Sequence, residues 1–234
     1  MVISDFLSGK LNFFDIFKLI KFKSDFKKKH PDYMDIDGLC IFCGSQGSGK
    51  TLSAVQYLQK LCNFYPESIL VTNTDIKGIS NETIEYDGIE CLKSIENGEK
   101  GVIYFIDEIH LEFNSLESKN IPIDIMTEVS QQRKQRKHIV GTSQVFLRLA
   151  KPLREQIKNV VICKNYFGFI QINELIDGTS SYEENGKLYY DKVAKKVWFH
   201  NPDLYNSYDT YKKMKRYKKE WNSFSPLDIY ERGL

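Results

Sequence analysis

The stretch that decides the fold of this 234-residue chain reads Gly44-Ser45-Gln46-Gly47-Ser48-Gly49-Lys50-Thr51. It matches the pattern G-x-x-x-x-G-K-[ST] of a phosphate-binding loop at every position. The apolar residues 39–43 before it predict a buried strand, and residues 51–65 after it carry apolar side chains at helical spacing. Strand, glycine-rich loop and helix are the context that this pattern needs, so the sequence predicts binding of a nucleoside triphosphate.

The chemistry of the loop assigns roles to its residues. Glycines let successive backbone N–H groups point at phosphate oxygens, and the helix N-terminus adds a partial positive charge. Lys50 is expected to reach the β- and γ-phosphates of ATP, and Thr51 to place its hydroxyl on Mg²⁺. The predicted cofactors are therefore ATP and magnesium.

Two carboxylates follow the third predicted strand, the apolar run at residues 101–106. Because Asp107 ends a predicted buried strand, it is expected to hold Mg²⁺ directly or through its water. Glu108 is then placed to polarise the water that attacks the γ-phosphate, which makes it the predicted catalytic glutamate. Gln144, at the end of the next predicted strand, is expected to contact the γ-phosphate and this water.

Arginines near that strand are candidates for a finger that stabilises charge on the transferred phosphoryl group. Arg133 and Arg136 precede the strand, and Arg148 and Arg154 follow it. A solvated helical face would explain any of the four equally well. Residues 133–138 are the densest cationic cluster of the core, and they either line a channel for a phosphate backbone or form a solvated surface.

Apolar runs and helical segments alternate along the core. Strands are predicted at residues 39–43, 68–73, 101–106, 138–144 and 159–163, and helices at residues 89–96, 122–134 and 146–156 between them. Such alternation is typical of an α/β three-layer sandwich with a mostly parallel five-stranded sheet. Beyond residue 166 the pattern becomes aromatic and turn-rich, with a hairpin signal at Asn185-Gly186, and indicates a small C-terminal β addition.

Composition narrows the class of protein. Lys and Arg total 33 and Asp and Glu 31, so net charge does not indicate a nucleic-acid partner. Five irregularly spaced cysteines do not form a disulfide framework, and Cys40 and Cys43 are interpreted as small core residues of a strand in a reducing cytoplasm. The sequence contains no signal-peptide pattern and no apolar run long enough to span a bilayer.

Both ends of the chain are basic and aromatic. Residues 6–26 predict an amphipathic basic helix, which lies on an anionic membrane surface or docks on the domain or a neighbouring subunit. Residues 211–219 also predict a basic helix. The chain is accordingly divided into an arm at residues 1–36, an ATPase core at 37–176, and the β addition with its basic tail at 177–234.

With these elements placed, the chain resembles the additional-strand, catalytic-glutamate branch of P-loop NTPases. Within it, the sequence is similar to the HerA–FtsK-like group, and there to zonula occludens toxin (Zot)-like and filamentous-phage assembly ATPases. The residues that carry the resemblance are 44–51, 71–73, 105–110, 141–144 and a late segment at 205–210. Zot-like proteins usually carry a transmembrane helix after the ATPase domain, and this sequence has none there.

The resemblance implies strand order 5-1-4-3-2 and a homo-oligomeric ring, hexameric in such proteins, with ATP between subunits and an arginine supplied in trans. It implies a magnesium-dependent ATPase that translocates or packages DNA for a phage or mobile element. Two alternatives stay open: a phage assembly ATPase acting at the membrane, and an ATP-switched interaction protein with slow turnover. The expected location is the cytoplasm, that of the host for a phage protein, with the membrane periphery or the virion as alternatives.

Overall fold

The computed structural model describes residues 13–178, 182–184 and 187–208. Its helices and strands alternate along most of the chain, as the sequence predicts. The strands are β1 (Gly38–Cys43), β2 (Ile69–Thr72), β3 (Thr83–Glu85), β4 (Val102–Ile106), β5 (Lys137–Ser143), β6 (Ile157–Tyr166), β7 (Ile170–Asp177), β8 (Tyr182–Glu184), β9 (Lys187–Tyr189) and β10 (Lys192–Phe199). The α-helices are α1 (Phe13–Lys29), α2 (Lys50–Phe64), α3 (Cys91–Ser94), α4 (Ile123–Ser130), α5 (Gln132–Gln135), α6 (Lys151–Arg154) and α7 (Pro202–Tyr205). Four 3-10 segments complete them, at Gly98–Lys100, Ile109–Leu111, Ser115–Asn120 and Phe146–Arg148.

One sheet of eight strands organises the fold, in the order β10-β7-β6-β1-β5-β4-β2-β3. This corrects the expectation of a five-stranded sheet. The five predicted strands lie side by side as β6-β1-β5-β4-β2, and all pairs among them are parallel. β3 extends one edge, and β7 and β10 extend the other with antiparallel pairing. The predicted β addition therefore continues the main sheet.

Both faces of the sheet are covered, because consecutive side chains of β1 point to opposite sides. Leu39, Ile41 and Cys43 belong to one buried cluster, which packs under α3, α4 and α6. Cys40 and Phe42 belong to the other cluster, which packs under α2. The result is a three-layer sandwich in which Cys40 and Cys43 are core residues of opposite faces.

Several predicted helices are shorter than the sequence suggests. The helix predicted over residues 89–96 spans Cys91–Ser94 only. The helix predicted over residues 122–134 is divided into α4 and α5, because Gln131 leaves the helical conformation between them. The helix predicted over residues 146–156 is replaced by a 3-10 turn and α6, because Pro152 has no N–H and can only begin a helix.

The described part of the arm contains the predicted helix, but α1 runs to Lys29, past the predicted end at residue 26, and ends just before Pro31. Contacts with the domain occur around its C-terminal end: Lys27 Nζ lies over the Phe64 ring of α2, and His30 Nδ1, directly after the helix, lies 2.8 Å from Glu99 Oε2. Strands β8 and β9 confirm the predicted hairpin by pairing antiparallel. Residues 6–12, the turn at 185–186, residues 209–210 of the late segment and the basic helix at 211–219 lie outside the described residues. Within the described part, no helix has the length and apolarity needed to cross a bilayer.

Candidate active site

The predicted phosphate loop joins the C-terminal end of β1 to the N-terminus of α2. Gly49, the residue before α2, has a left-handed backbone with φ 77°. A side chain there would be strained, and its Cβ would also overlap Oε1 of Gln171. Lys50 is 7% exposed, and its Nζ donates to the Ser45 carbonyl oxygen at 3.2 Å across the loop. The loop therefore holds its lysine inward, at the position that the predicted phosphate site requires.

Gln171 on β7 holds the backbone of this loop through a hydrogen bond. Its side chain is fully buried, and its Nε2 donates to the Ser48 carbonyl oxygen at 2.9 Å. The same Nε2 donates to Asn173 Oδ1, and Oε1 of Gln171 lies 3.1 Å from His200 Nε2. His200 in turn contacts the Tyr205 hydroxyl. Strands outside the predicted five-stranded core thus fix the backbone of the phosphate loop.

Asp107 and Thr51 lie in contact, as their predicted roles require. The Thr51 hydroxyl donates to Asp107 Oδ1 at 3.1 Å. The Thr142 hydroxyl, from the neighbouring strand β5, donates to the same oxygen at 2.5 Å. Because β1, β4 and β5 are parallel neighbours, their C-terminal ends bring these three side chains to one edge of the sheet.

Asn73, just after β2, fixes the backbone of Asp107 from the other side. Its Nδ2 donates to the Asp107 carbonyl oxygen at 3.0 Å, and its Oδ1 accepts from the Asp107 N–H at 2.9 Å. Both backbone groups of Asp107 are therefore held by one amide. This leaves the carboxylate free to face Thr51 and the loop.

Glu108 has an unusual backbone for a residue with a side chain. Its φ is 55° and its ψ 43°, in the left-handed region, and its N–H donates to the Thr142 hydroxyl oxygen at 2.9 Å. Such a conformation costs on the order of 1 kcal/mol and tends to occur at functional sites. The strained residue directly follows Asp107 at the C-terminal end of β4, the same edge of the sheet as the start of the phosphate loop.

The Glu108 carboxylate is largely buried and incompletely hydrogen-bonded. Its Oε2 lies 3.2 Å from Nδ1 of His110, yet no hydrogen bond to that oxygen is formed within the described residues. Burial and the positive charges of Arg148 and Lys50 lower the pKa of His110, so the imidazole is neutral at pH 7. Burial also raises the pKa of Asp107, opposed by the hydrogen bond from Thr142.

Gln144 follows β5 directly, and β5 pairs with β1 so that Ser143 lies opposite Cys43. Gln144 is therefore level with Gly44, the first residue of the loop, and is partly exposed. Of the four arginine candidates, Arg148 follows β5 at this same edge of the sheet. Arg133 and Arg136 precede β5 and Arg154 precedes β6, so these three lie at the opposite edge.

The cationic cluster at residues 133–138 is not one basic surface. Lys137 is buried, with its Nζ bonded to the Leu92 carbonyl oxygen at 2.7 Å and 3.3 Å from Glu128 Oε2. His138 is also buried, and this burial lowers its pKa to about 4. The Arg136 guanidinium lies over the Tyr33 ring. Arg133 and Lys134 are the exposed cations of the group.

The residues present fit the predicted ligands. Ser48 Oγ in the loop and Glu108 Oε2 are buried without a hydrogen-bond partner among the described residues, as expected where polar ligand atoms bind. The donor set of Thr51 and Asp107 consists of a hydroxyl and a carboxylate, the hard oxygen ligands that Mg²⁺ prefers.

Sequence reasoning missed four of the residues that build this site: Asn73, His110, Thr142 and Gln171. Asn73 and Thr142 stand at strand ends next to predicted site residues, which is a usable signal. Gln171 lies beyond the five predicted strands, in the aromatic and turn-rich stretch after residue 166, and no motif marks it. These contacts depend on which strands become neighbours in the sheet.

Comparison with solved structures reveals the same fold elsewhere. The N-terminal domain of zonular occludens toxin from Neisseria meningitidis superposes with a TM-score of 0.53 at 17% identity, covering 74% of this chain and 98% of that one. The chain therefore has the fold of that domain, which confirms the structural side of the resemblance seen in the sequence. No protein-family model matches the sequence, and neither does any curated protein.

A viral packaging protein was also found. The genome packaging NTPase B204 from Sulfolobus turreted icosahedral virus 2, in complex with ATP-gammaS, has a TM-score of 0.49 at 12% identity. That match covers 71% of this chain and 98% of that one. Agreement at this level is too low to support a functional inference.

Proposed function

We propose that this chain is a magnesium-dependent ATPase. One observation supports this above others: Glu108, which has a strained backbone and a buried Oε2 without a hydrogen bond among the described residues, directly follows Asp107, whose carboxylate accepts from Thr51. Loops of this kind bind nucleotides in many proteins without hydrolysis. A second carboxylate that is free of strong partners is what activation of water requires.

Each residue of the site has its own role in the proposed hydrolysis of ATP. The loop N–H groups and Lys50 bind and orient the β- and γ-phosphates. Thr51 and Asp107 would hold Mg²⁺, which would neutralise charge on the phosphates. Glu108 accepts a proton from the attacking water, and Nδ1 of the neutral His110 lies 3.2 Å from its Oε2. Asn73 and Thr142 keep both carboxylates in place.

The test is steady-state ATP hydrolysis by the Glu108→Gln variant, with nucleotide affinity measured separately by a fluorescent ATP analogue. Loss of the base is expected to reduce turnover by about 10²- to 10⁴-fold while ATP still binds. Glu155→Gln, at an exposed position directly after α6, is the matched control and should keep wild-type turnover. Equal turnover in Glu108→Gln and wild type would contradict the assignment.

The finer proposal is a ring motor that translocates or packages DNA for a phage or mobile element, with Arg148 as the first candidate for the arginine acting in trans. It is supported by the family resemblance of the sequence and by the position of Arg148 at the phosphate-loop edge. We expect oligomers by light scattering in the presence of a non-hydrolysable ATP analogue, and turnover stimulated by DNA with a steep salt dependence. A monomer whose turnover ignores DNA would contradict the motor and favour an ATP-dependent switch.

The exposed face of α1 favours one alternative, a phage assembly ATPase acting at the membrane. Phe17, Ile20 and Phe22 are each more than half exposed, and each is directly followed by a lysine: Lys18, Lys21 and Lys23. Apolar side chains interspersed with lysines suit the interface of an anionic bilayer. Binding to anionic vesicles, reduced by Phe17→Ser with Phe22→Ser and unaffected by Phe64→Ser, would support this function. Equal binding by all three proteins would exclude it.

A further inference from the structure

A second cavity lies away from the phosphate loop, between α2 and the face formed by β1, β6, β7 and β10. Its volume is about 360 Å³, which falls in the range of small-molecule sites. The buried side chains of Cys40, Phe42 and Val161 form its apolar floor. The cavity is therefore a bounded space with an apolar bottom and does not overlap the predicted ATP site.

Polar side chains line the walls and the mouth. Ser53, Gln56, Tyr57 and Lys60 come from α2, and Asn159, Asn173, Lys195 and Lys196 come from the strands. Three of these are lysines, and of the described residues that line the cavity none is acidic. The lining therefore carries a formal charge of +3 from those lysines at neutral pH.

Two of these lysines converge on the mouth. Lys196 Nζ donates to Gln56 Oε1 at 2.8 Å. Partial burial and the neighbouring charge of Lys60 both lower the pKa of Lys196. Within the described part of the chain, neither ammonium is within ion-pair distance of a carboxylate. Like charges held together without a counter-charge destabilise a fold, and a bound anion would remove that cost.

The side-chain amide of Asn173 is a further hydrogen-bond donor that could bind an anion. Asn173 Oδ1 accepts from Ser53 Oγ and from Gln171 Nε2, each at 3.1 Å. Nδ2 of Asn173 donates to no acceptor among the described residues, although Asn173 lines the cavity. The site thus combines an apolar floor with an amide donor and two cations at its mouth.

We propose that this cavity binds a small amphipathic anion, with the apolar part on Phe42 and Val161 and the acidic group at Lys60, Lys196 and Asn173. A carboxylate, sulfonate or phosphate ester attached to an aromatic or alkyl group has this chemistry. Because Asn173 also contacts Gln171, which holds the Ser48 carbonyl group, an occupant would touch the residue pair that supports the phosphate loop.

The experiment uses two fluorescent dyes and the full chain. Anilinonaphthalene sulfonate is an amphipathic anion, and phenylnaphthylamine has the same ring system without the charge. We expect saturable binding of the sulfonate at one site, at least about tenfold tighter than that of the uncharged dye, since one charge-assisted hydrogen bond accounts for about that factor.

Variants separate the two halves of the proposed site. Lys60→Met with Lys196→Met should weaken the sulfonate about tenfold or more and leave the uncharged dye unchanged. Ala194→Phe, which fills the cavity, should remove binding of both dyes. Lys151→Met, at an exposed position of α6, is the control for loss of a lysine elsewhere on the surface and should bind like wild type.

Three results would overturn the proposal. One is equal affinity for the two dyes, and another is sulfonate binding that ignores both the lysine pair and Ala194→Phe. The third is no saturable binding to the full chain, which would mean that the cavity is closed by part of the chain itself or by another copy. Circular dichroism of each variant shows whether it is folded when binding is lost.

Discussion

The support of the phosphate loop by Gln171 gives a prediction that can be worked out from the structure. Gln171→Leu keeps a side chain of similar size but removes the amide. The change deletes two hydrogen bonds that Gln171 donates, to the Ser48 carbonyl oxygen at 2.9 Å and to Asn173 Oδ1 at 3.1 Å. It also deletes the bond that Gln171 accepts from His200 Nε2 at 3.1 Å. It leaves the Ser48 carbonyl group unpaired beneath the loop.

The magnitude follows from the number of lost bonds and from burial. Each hydrogen bond contributes about 1 kcal/mol net, and a buried group left without a partner costs about 1–3 kcal/mol. Because Gln171 is fully buried, solvent cannot replace the lost contacts, and the free energy of unfolding should fall by about 2–4 kcal/mol. The looser loop should bind ATP about five- to tenfold more weakly, which corresponds to about 1 kcal/mol.

Urea denaturation measures the first effect, and titration with a fluorescent ATP analogue measures the second. Gln132→Leu is the matched control, since Gln132 is equally buried but neither of its amide atoms has a partner among the described residues. That variant should be as stable as wild type or more stable, with unchanged ATP affinity. Wild-type stability and ATP affinity in Gln171→Leu would refute the proposed support of the loop.

Two further predictions concern Thr142 and His138. Thr142→Val keeps the shape of the side chain but removes the hydroxyl that donates to Asp107 Oδ1 and accepts from the Glu108 N–H. ATP turnover should therefore fall about tenfold or more. Ser130→Ala, on the exposed surface of α4, is the control. Wild-type turnover in Thr142→Val would contradict the role of Thr142. His138 is neutral in the fold because burial lowers its pKa from 6.5 to about 4, so its contribution is fully present above pH 6.5. As pH falls from 6.5 to about 4, the unfolded chain gains a proton that the folded chain does not, and about 3 kcal/mol of stability is lost. Urea denaturation across this range should show a shallower pH dependence for His138→Gln than for wild type, and equal slopes would contradict the assignment.

Some parts of the site could be predicted from the sequence, and others could not. The phosphate loop and the Asp107–Glu108 pair could be placed from sequence because each depends on contiguous residues beside an apolar strand. The strained backbone of Glu108 could not be predicted, since it depends on the Thr142 hydroxyl of another strand. The basic cluster was misjudged for a related reason: Lys137 and His138 begin β5, and the packing of that strand buries them.

The sequence by itself determined the phosphate-loop pattern between a strand and a helix, the alternation of strands and helices, and the position of the acidic pair at a strand end. These features follow from local rules, because glycine conformation, apolar periodicity and strand termination act over a few residues. Only the tertiary structure decided that the sheet has eight strands, and that Gln171 on β7 meets the Ser48 carbonyl group. That contact joins residues 123 positions apart in the chain. It forms because the order of the strands, which is set by burying apolar side chains on both faces of the sheet, places β7 near the phosphate loop.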